Sequence, residues 1–327
     1  MKCKHKVLAF LESRRGQYVS GTYIAQQLNV SRGSVWEAVR ELKQSGHVIE
    51  GTRNKGYCLH QDSNVLSSDV ISHFLTGPGA DYVGKVFVHK LLLSTNKSAK
   101  ELAVFDAEHG TVVVADQQLA GKGRHGRQFF SPAGDGIYMS VILRPSRIKF
   151  DAPGLVTSFA AVAVCEAIEA ISAKQTRIKW VNDIFIDGKK VCGILTEAVT
   201  DFESSAIDWI VVGIGINFNT SEFPEEIKDI AGAVFPTGET PVSRNRLIAE
   251  VLNRLMAIED CDEKETLARY KSRLMMLGER VIVTQGSQTY QAVAMDIDDA
   301  AQLVVKKDSG EVVALSSGEV SAHPIVK

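Results

Sequence analysis

Three short stretches carry residues suited to holding and activating an anion. Gly121-Lys122-Gly123-Arg124-His125-Gly126 matches G-x-G-x-x-G and is followed by Arg127. A dinucleotide-binding loop opens a helix, and a Walker loop ends in Gly-Lys-Ser/Thr. This one does neither, running through Phe129-Phe130-Ser131-Pro132 toward a strand. What remains is a glycine backbone that a ligand can approach closely, with three cations to offset phosphate charge; a basic surface turn is the plain alternative. Lys179-Trp180-Val181-Asn182-Asp183 reads as strand. Alternation then puts Asp183 with Val181 and Lys179 on one face, and Asn182 with Trp180 on the other. Lys190 follows a turn and precedes Val191-Cys192-Gly193, a small-residue step that lets a ligand reach the backbone. A lysine near a bound carboxylate or phosphate contributes about 4 kcal/mol at about 4 Å and an effective dielectric near 20; an ordinary hairpin salt bridge is the alternative. Gly213-Ile214-Gly215-Ile216-Asn217 sets glycines on an apolar strand, either for packing or to admit a ligand ring, with Asn217 as a polar end-stop. Five scattered cysteines without C-x-x-C spacing fit neither a disulfide scaffold nor a zinc site. No metal site and no Ser-His-Asp or Cys-His nucleophile set is expected.

A different chemistry occupies the N-terminus. Residues 1–60 hold ten Lys/Arg against Glu12, Glu37, Glu41 and Glu50, a net of +6 in a chain whose total is −2, so the remainder carries −8. Such asymmetry points to a nucleic-acid-facing end. A short helix over Tyr23–Leu28 follows Gly21-Thr22, and Ser31 is a plausible N-cap for a second helix, Arg32 to Ser45, that Gly46 ends. Val48-Ile49 then lead through Arg53-Asn54-Lys55-Gly56 into Tyr57-Cys58-Leu59, a hairpin with a basic tip. The pattern is a winged helix-turn-helix. Arg32 and Ser34 begin the recognition helix, where side chains reach base edges, and Gly21, Thr22 and Ser31 join them as candidate DNA contacts. Arg40, Lys43, Arg53 and Lys55 suit phosphates. Glu37 is discordant: it repels phosphate unless it accepts from a cytosine amino group.

The elements that must position the anion-binding residues are mixed in order. Helices are expected over Asn96–Phe105, Leu155–Ser172, Arg244–Ile258 and up to Leu274. Strands are expected over Thr111–Gln117, Ile137–Leu143, Ile178–Ile186, Val191–Val199 and Trp209–Phe218, with Asp187–Lys190 as a turn. This order favours an α+β sheet over a doubly wound one. Residues Gln61 to Ser68 read as a polar linker, and Asn219 to Ser243 as a long loop of the kind that is functional or disordered. From Gly278 onward, strands over 280–284, 291–297, 302–306 and 312–315 recur at small-barrel spacing. The expected domains are 1–62, 66–275 and 276–327. No uncharged apolar run approaches the roughly 20 residues of a membrane span and no signal peptide is recognised, so a cytoplasmic protein without membrane contact is expected.

Taken together these residues resemble the family of biotin–protein ligases that double as biotin operon repressors. The resemblance rests on Ser94-Thr95-Asn96, Gln118 through Arg127, Lys179 to Asp183, Lys190 with Gly193, Glu197, and Gly213 to Asn217, in order along nearly the whole chain. It implies a class II synthetase-like central domain and an SH3-like C-terminal barrel. It further implies that Ser94, Thr95, Asn96, Gln118, Lys122, Gly123, Arg124 and Gly193 surround biotin, with Lys190 near its carboxylate. Arg124, Arg127, Asn182, Asp183 and Asn217 would serve ATP and the adenylate. Lys190 and Arg124 would oppose charge at the transferring phosphorus, and Asp183 would orient or deprotonate an acceptor lysine. The implied substrates are biotin and ATP with Mg2+; the implied partners are a biotin carboxyl carrier protein, operator DNA and, once adenylate is bound, a second copy of the chain. Lys122 stands where the family usually has Arg, and Val181 where it has Pro. Alternatives on the residues alone are a ligand-sensing transcription factor without ligase chemistry and a lipoate-type acyl ligase.

Overall fold

Cap residues and short apolar runs set the N-terminal elements. In the structure, a computed structural model, the described residues are 2–61, 63–149, 153–200, 207–236, 240–285, 287–316 and 319–322. The expected domain limits at 62 and 327 fall outside them. Helix α1 (Cys3–Glu12) buries Val7, Leu8, Ala9 and Leu11. Helix α2 (Gly21–Leu28) is capped by Ser20, whose side chain accepts from the Tyr23 backbone N–H, so it starts two residues before the expected point and takes Gly21 and Thr22 into its first turn. Ser31 caps α3 (Arg32–Gln44) by accepting from the Ser34 N–H, and Val35, Ala38, Val39 and Leu42 face the core. Strands β1 (Ile49–Thr52) and β2 (Gly56–Leu59) form the antiparallel wing.

The stretch expected as a polar linker is pinned at several of its residues. Arg15 forms a nearly buried pair with Glu12 at 3.0 Å and donates to the carbonyls of His60, Gln61 and Ser63. Arg244, 1% exposed, donates through Nε to Asn64 Oδ1 (3.0 Å), through Nη1 to the Gly136 carbonyl (2.9 Å), and through Nη2 to Asp116 (2.8 Å) and the Asn64 carbonyl. Burial pulls this guanidinium below its usual pKa, opposed by Asp116. Asn245 brackets the same segment, accepting from the Ser67 N–H and donating to the Val65 carbonyl. A polar run looks solvated in sequence; here Arg15, Arg244 and Asn245 satisfy its carbonyls.

Helix α4 (Ser68–His73) leads into a seven-stranded sheet. Its strands are β3 (Val86–His89), β4 (Val112–Ala115), β5 (Gly136–Leu143), β6 (Arg177–Lys179), β7 (Asp183–Ile186), β8 (Lys189–Thr200) and β9 (Ile207–Asn217). They lie in the order β3-β4-β5-β9-β8-β7-β6, parallel between β3 and β4 and antiparallel elsewhere. Helices α6 (Pro153–Ser172) and α7 (Arg244–Leu255) pack on one face against Ile137, Ile184, Cys192 and Ile216. Helix α5 (Thr95–Val104) covers part of the other through Ala99 and Ala103 on Val113, Ile142 and Val211. By length and composition α6 could cross a membrane; here Val156 through Cys165 are buried in the core.

One expected strand is a hairpin. Residues 178–186 do not run straight: β6 and β7 are antiparallel neighbours with Lys179 opposite Asp183, and the chain reverses through Trp180–Val181–Asn182, where the Trp180–Val181 peptide is cis. The alternation that separated Asn182 from Asp183 therefore does not hold. Helix α8 (Glu263–Arg273) precedes a five-stranded antiparallel sheet of β10 (Arg280–Gln285), β11 (Gln288–Ile297), β12 (Leu303–Lys307), β13 (Val312–Leu315) and β14 (Glu319–Ala322), in the order β13-β12-β11-β10-β14. Strand β3, helix α4 and β14 escaped the sequence reading.

Candidate functional site

Antiparallel registry builds the floor of the site. Directly opposed residues share a face, and the row Lys179, Asp183, Gly193, Gly215 and Tyr138 crosses β6, β7, β8, β9 and β5. The next row is Leu195, Gly213 and Ser140. Both rows face away from α6. Strict alternation would send Lys190 to the opposite face from Gly193. A bulge prevents this: Cys192 pairs with Ile184 but Lys190 with Phe185, so Val191 is the extra residue and Lys190 is re-aimed onto the floor.

Two glycines make the floor low enough to be occupied. A Cβ on Gly213 would sit 1.9 Å from Asn96 Oδ1, and one on Gly215 would sit 2.7 Å from the Phe129 ring. Asn96 and Phe129 fill that space as the end and the aromatic wall. The Ser94-Thr95-Asn96 turn is buried and locked. Gln118 Oε1 accepts from the Thr95 N–H at 2.8 Å while its Nε2 donates to Ser131 Oγ at 3.0 Å. Ser140 Oγ donates to Asn96 Oδ1 at 2.6 Å, and Asn96 Nδ2 donates to Glu197 at 2.8 Å. Burial pushes the Glu197 carboxyl up, but hydrogen bonds from Lys100 and Asn96 outweigh it and hold the group below the usual range, with Lys122 adding to the effect.

The glycine-rich loop closes one side as a narrow excursion rather than a helix start. Lys122 pairs with Gln128 across it, the Gly123 N–H donates to the Arg127 carbonyl at 2.7 Å, and His125 takes a left-handed conformation at φ 57°. Arg124 is half-buried beside Asp183; burial pulls its pKa below the usual guanidinium value while Asp183 opposes the change. Lys190 Nζ lies 2.6 Å from Asp183 Oδ1. Asn182 donates to the Ile194 carbonyl at 2.6 Å, and Asn217 to the Gly232 carbonyl at 2.9 Å. The long loop forms the remaining wall: its Ile230 and Gly232 bond to the Lys190 backbone, and Phe223 and Ile227 line the space. The cavity, open to solvent on one side, measures about 340 Å3, and every residue expected around biotin or ATP lines it. Phe129, Trp180 and the loop residues Phe223 and Ile227 also line it and were not anticipated.

A second concavity lies between recognition helix and wing. Gly21, Thr22, Arg32 and Arg53 border it, as does Trp36. Ser31 and Ser34 are joined at the helix start (2.9 Å), the Lys55 ammonium sits 5.5 Å from the Tyr18 ring, and Arg40 reaches Glu37 at 3.3 Å. The acid that seemed discordant is thus paired with a neighbouring cation.

A cation-rimmed, glycine-floored sheet cavity joined to a basic winged helix defines a class: an acyl-ligase domain carrying a DNA-binding module. Residues 88–217 match the Biotin/lipoate A/B protein ligase family, residues 4–58 an HTH domain, and residues 276–322 the Biotin protein ligase C terminal domain. The chain is 35% identical to the bifunctional ligase/repressor BirA of Bacillus subtilis, covering 93% of this chain and 94% of that protein. It is 28% identical to the BirA of Escherichia coli over 98% of each. The structure of an Aquifex aeolicus biotin protein ligase in complex with biotin and ATP superposes with a TM-score of 0.63 at 31% identity, covering 73% of this chain and 98% of that one. The chain belongs to the family of bifunctional ligase/repressor BirA proteins.

Proposed function

We propose that the cavity holds biotin between Asn96 and Phe129, which the glycines of the floor make room for, with ATP along the glycine loop. The chain is an ATP-dependent biotin–protein ligase and a DNA-binding repressor. The observation that carries the site reading is the convergence of Ser94–Asn96, the cationic loop and Lys190 on one cavity. In the first half-reaction the biotin carboxylate attacks the α-phosphate of ATP, and pyrophosphate leaves as biotinyl-5′-AMP forms. Lys190 and Arg124 set positive charge against the developing phosphorane, and the locked turn holds the end of biotin remote from its carboxylate. In the second, an acceptor lysine amine attacks the mixed anhydride and AMP leaves. Asp183, within 2.6 Å of Lys190, takes up or orients the amine proton. Among the described residues Asp183 is the carboxylate lining the cavity, which suits a Mg2+ ion carried in by ATP phosphates rather than one caged by protein. We assign the DNA-binding, ligase and C-terminal domains to 1–62, 66–275 and 276–327, and a cytoplasmic location.

The decisive test incubates the protein with biotin, Mg-ATP and a biotin carboxyl carrier domain and weighs the carrier intact. A gain of one biotin, dependent on ATP, is expected. Lipoate transferred in place of biotin would overturn the substrate assignment.

A regulatory role is proposed for the same walls. The glycine loop and residues Phe223, Ile227, Ile230 and Ala231 of the long loop border the cavity; an adenylate seated there would order both walls, and the family resemblance supports a homodimer that then presents two winged helices to a palindromic operator. Sedimentation with and without the adenylate should show a tighter dimer when it is bound; an unchanged constant sinks this regulatory step.

A further inference from the structure

Among the described N-terminal residues the most exposed aromatic is Trp36, ahead of Tyr18 and Tyr23. Trp36 is 57% exposed on α3, while its neighbours Val35, Ala38 and Val39 supply the core face. It lies one helical turn from Arg32 and one from Arg40, on the outward stripe of the recognition helix. The Arg40 guanidinium stands 5.1 Å from its ring, and Arg40 is tied in turn to Glu37. Together they brace the indole at the mouth of the concavity formed with Thr22 and the wing residues Thr52 and Arg53.

The flanking cations and the indole are suited to different parts of a duplex. Arg40, Arg53 and Lys55 match the phosphate backbone, which carries no sequence information, while Arg32 at the helix start is placed for a base edge. Trp36 has no charge to give a phosphate and presents an apolar plane near the start of the helix, where base edges are reached. The apolar group in the major groove is the thymine C5-methyl. We propose that Trp36 is a specificity-determining residue that packs on a thymine methyl in each operator half-site. Glu37 then acts as a brace for Arg40 rather than as a reader of cytosine. The proposal rests on the repressor reading above.

The test uses the full chain with biotin and Mg-ATP to select duplexes from a random-sequence library, then replaces each thymine of the selected site by deoxyuridine, which removes only the methyl. Burial of one methyl is worth about fourfold in affinity. Wild type is expected to lose about that factor at one thymine per half-site. Trp36→Ala should bind the thymine and uridine duplexes equally, while Trp36→Phe keeps part of the discrimination. A thermal melt checks that each variant is folded, and the wild-type uridine scan stands without any variant. If no sequence is enriched, the repressor reading fails. If a site is enriched but tolerates every uridine, or if Trp36→Ala keeps the methyl preference, the assignment to Trp36 is wrong and the repressor reading stands.

Discussion

Replacing Lys190 with alanine is expected to slow adenylate formation by at least a hundredfold. A unit positive charge about 4 Å from a developing phosphate charge is worth about 4 kcal/mol at an effective dielectric near 20. Lys190 is 30% exposed along its side chain, so solvent screens part of this; about 3 kcal/mol survives, or roughly two decades in rate. The variant also leaves the Asp183 carboxylate, 23% exposed, without its 2.6 Å partner in a cavity meant for anions. Repulsion thus adds to the lost attraction. Lys190→Arg keeps the charge but changes its reach and should recover part of the rate. Pyrophosphate release reads the first half-reaction, and a near-normal rate in Lys190→Ala would refute the role. Transfer from preformed adenylate should suffer less, because the phosphorus is then already bonded to the acyl oxygen.

The second large effect concerns stability. Arg244→Met should lower the unfolding free energy by about 3 kcal/mol, since removing one partner of a buried ion pair leaves the other uncompensated. The side chain is 2% exposed and its partner Asp116 25%, so water can reach the orphaned carboxylate in part, which places the loss at the lower end of the usual range. Asn64 and Gly136 lose donors as well. At about 2.1 cal/mol/K per residue over 327 residues, the midpoint should fall by roughly 4 °C. Differential scanning calorimetry checks this; a midpoint within a degree of wild type would mean that the guanidinium contributes no net stability.

The sequence made the ligand residues legible because they sit in short local motifs: the glycine loop, the Ser94–Asn96 turn and the Gly213–Asn217 strand each fall within a few residues. It hid what depends on remote partners. Trp180-Val181-Asn182 contains no glycine or proline, so an aromatic and a β-branched residue read as continuous strand where the chain reverses. Phe129 looked like the tail of a loop, yet its ring is fixed by two glycines on β8 and β9. Arg244 opens a helix, where a charged residue reads as solvated; its partner Asn64 is 180 residues away. The bulge at Val191 was equally silent, because alternation is counted along one strand and a bulge is defined by the other.

The clamp of Arg15 and Arg244 on His60, Gln61, Ser63 and Asn64 bears on how the operator must be laid out. A tethered reading head tolerates variable gaps between half-sites, because a loose chain takes up the difference. Here the carbonyls on both sides of the domain junction are held by guanidinium groups rooted in the winged helix and in the ligase core. In the dimer proposed above, the two recognition helices are therefore set apart by the rigid body of the protein, as the jaws of a calliper are set by its frame. Helical phase between half-sites becomes part of the recognised signal, and a half-turn insertion that preserves every contacted base turns one half-site away from its reader.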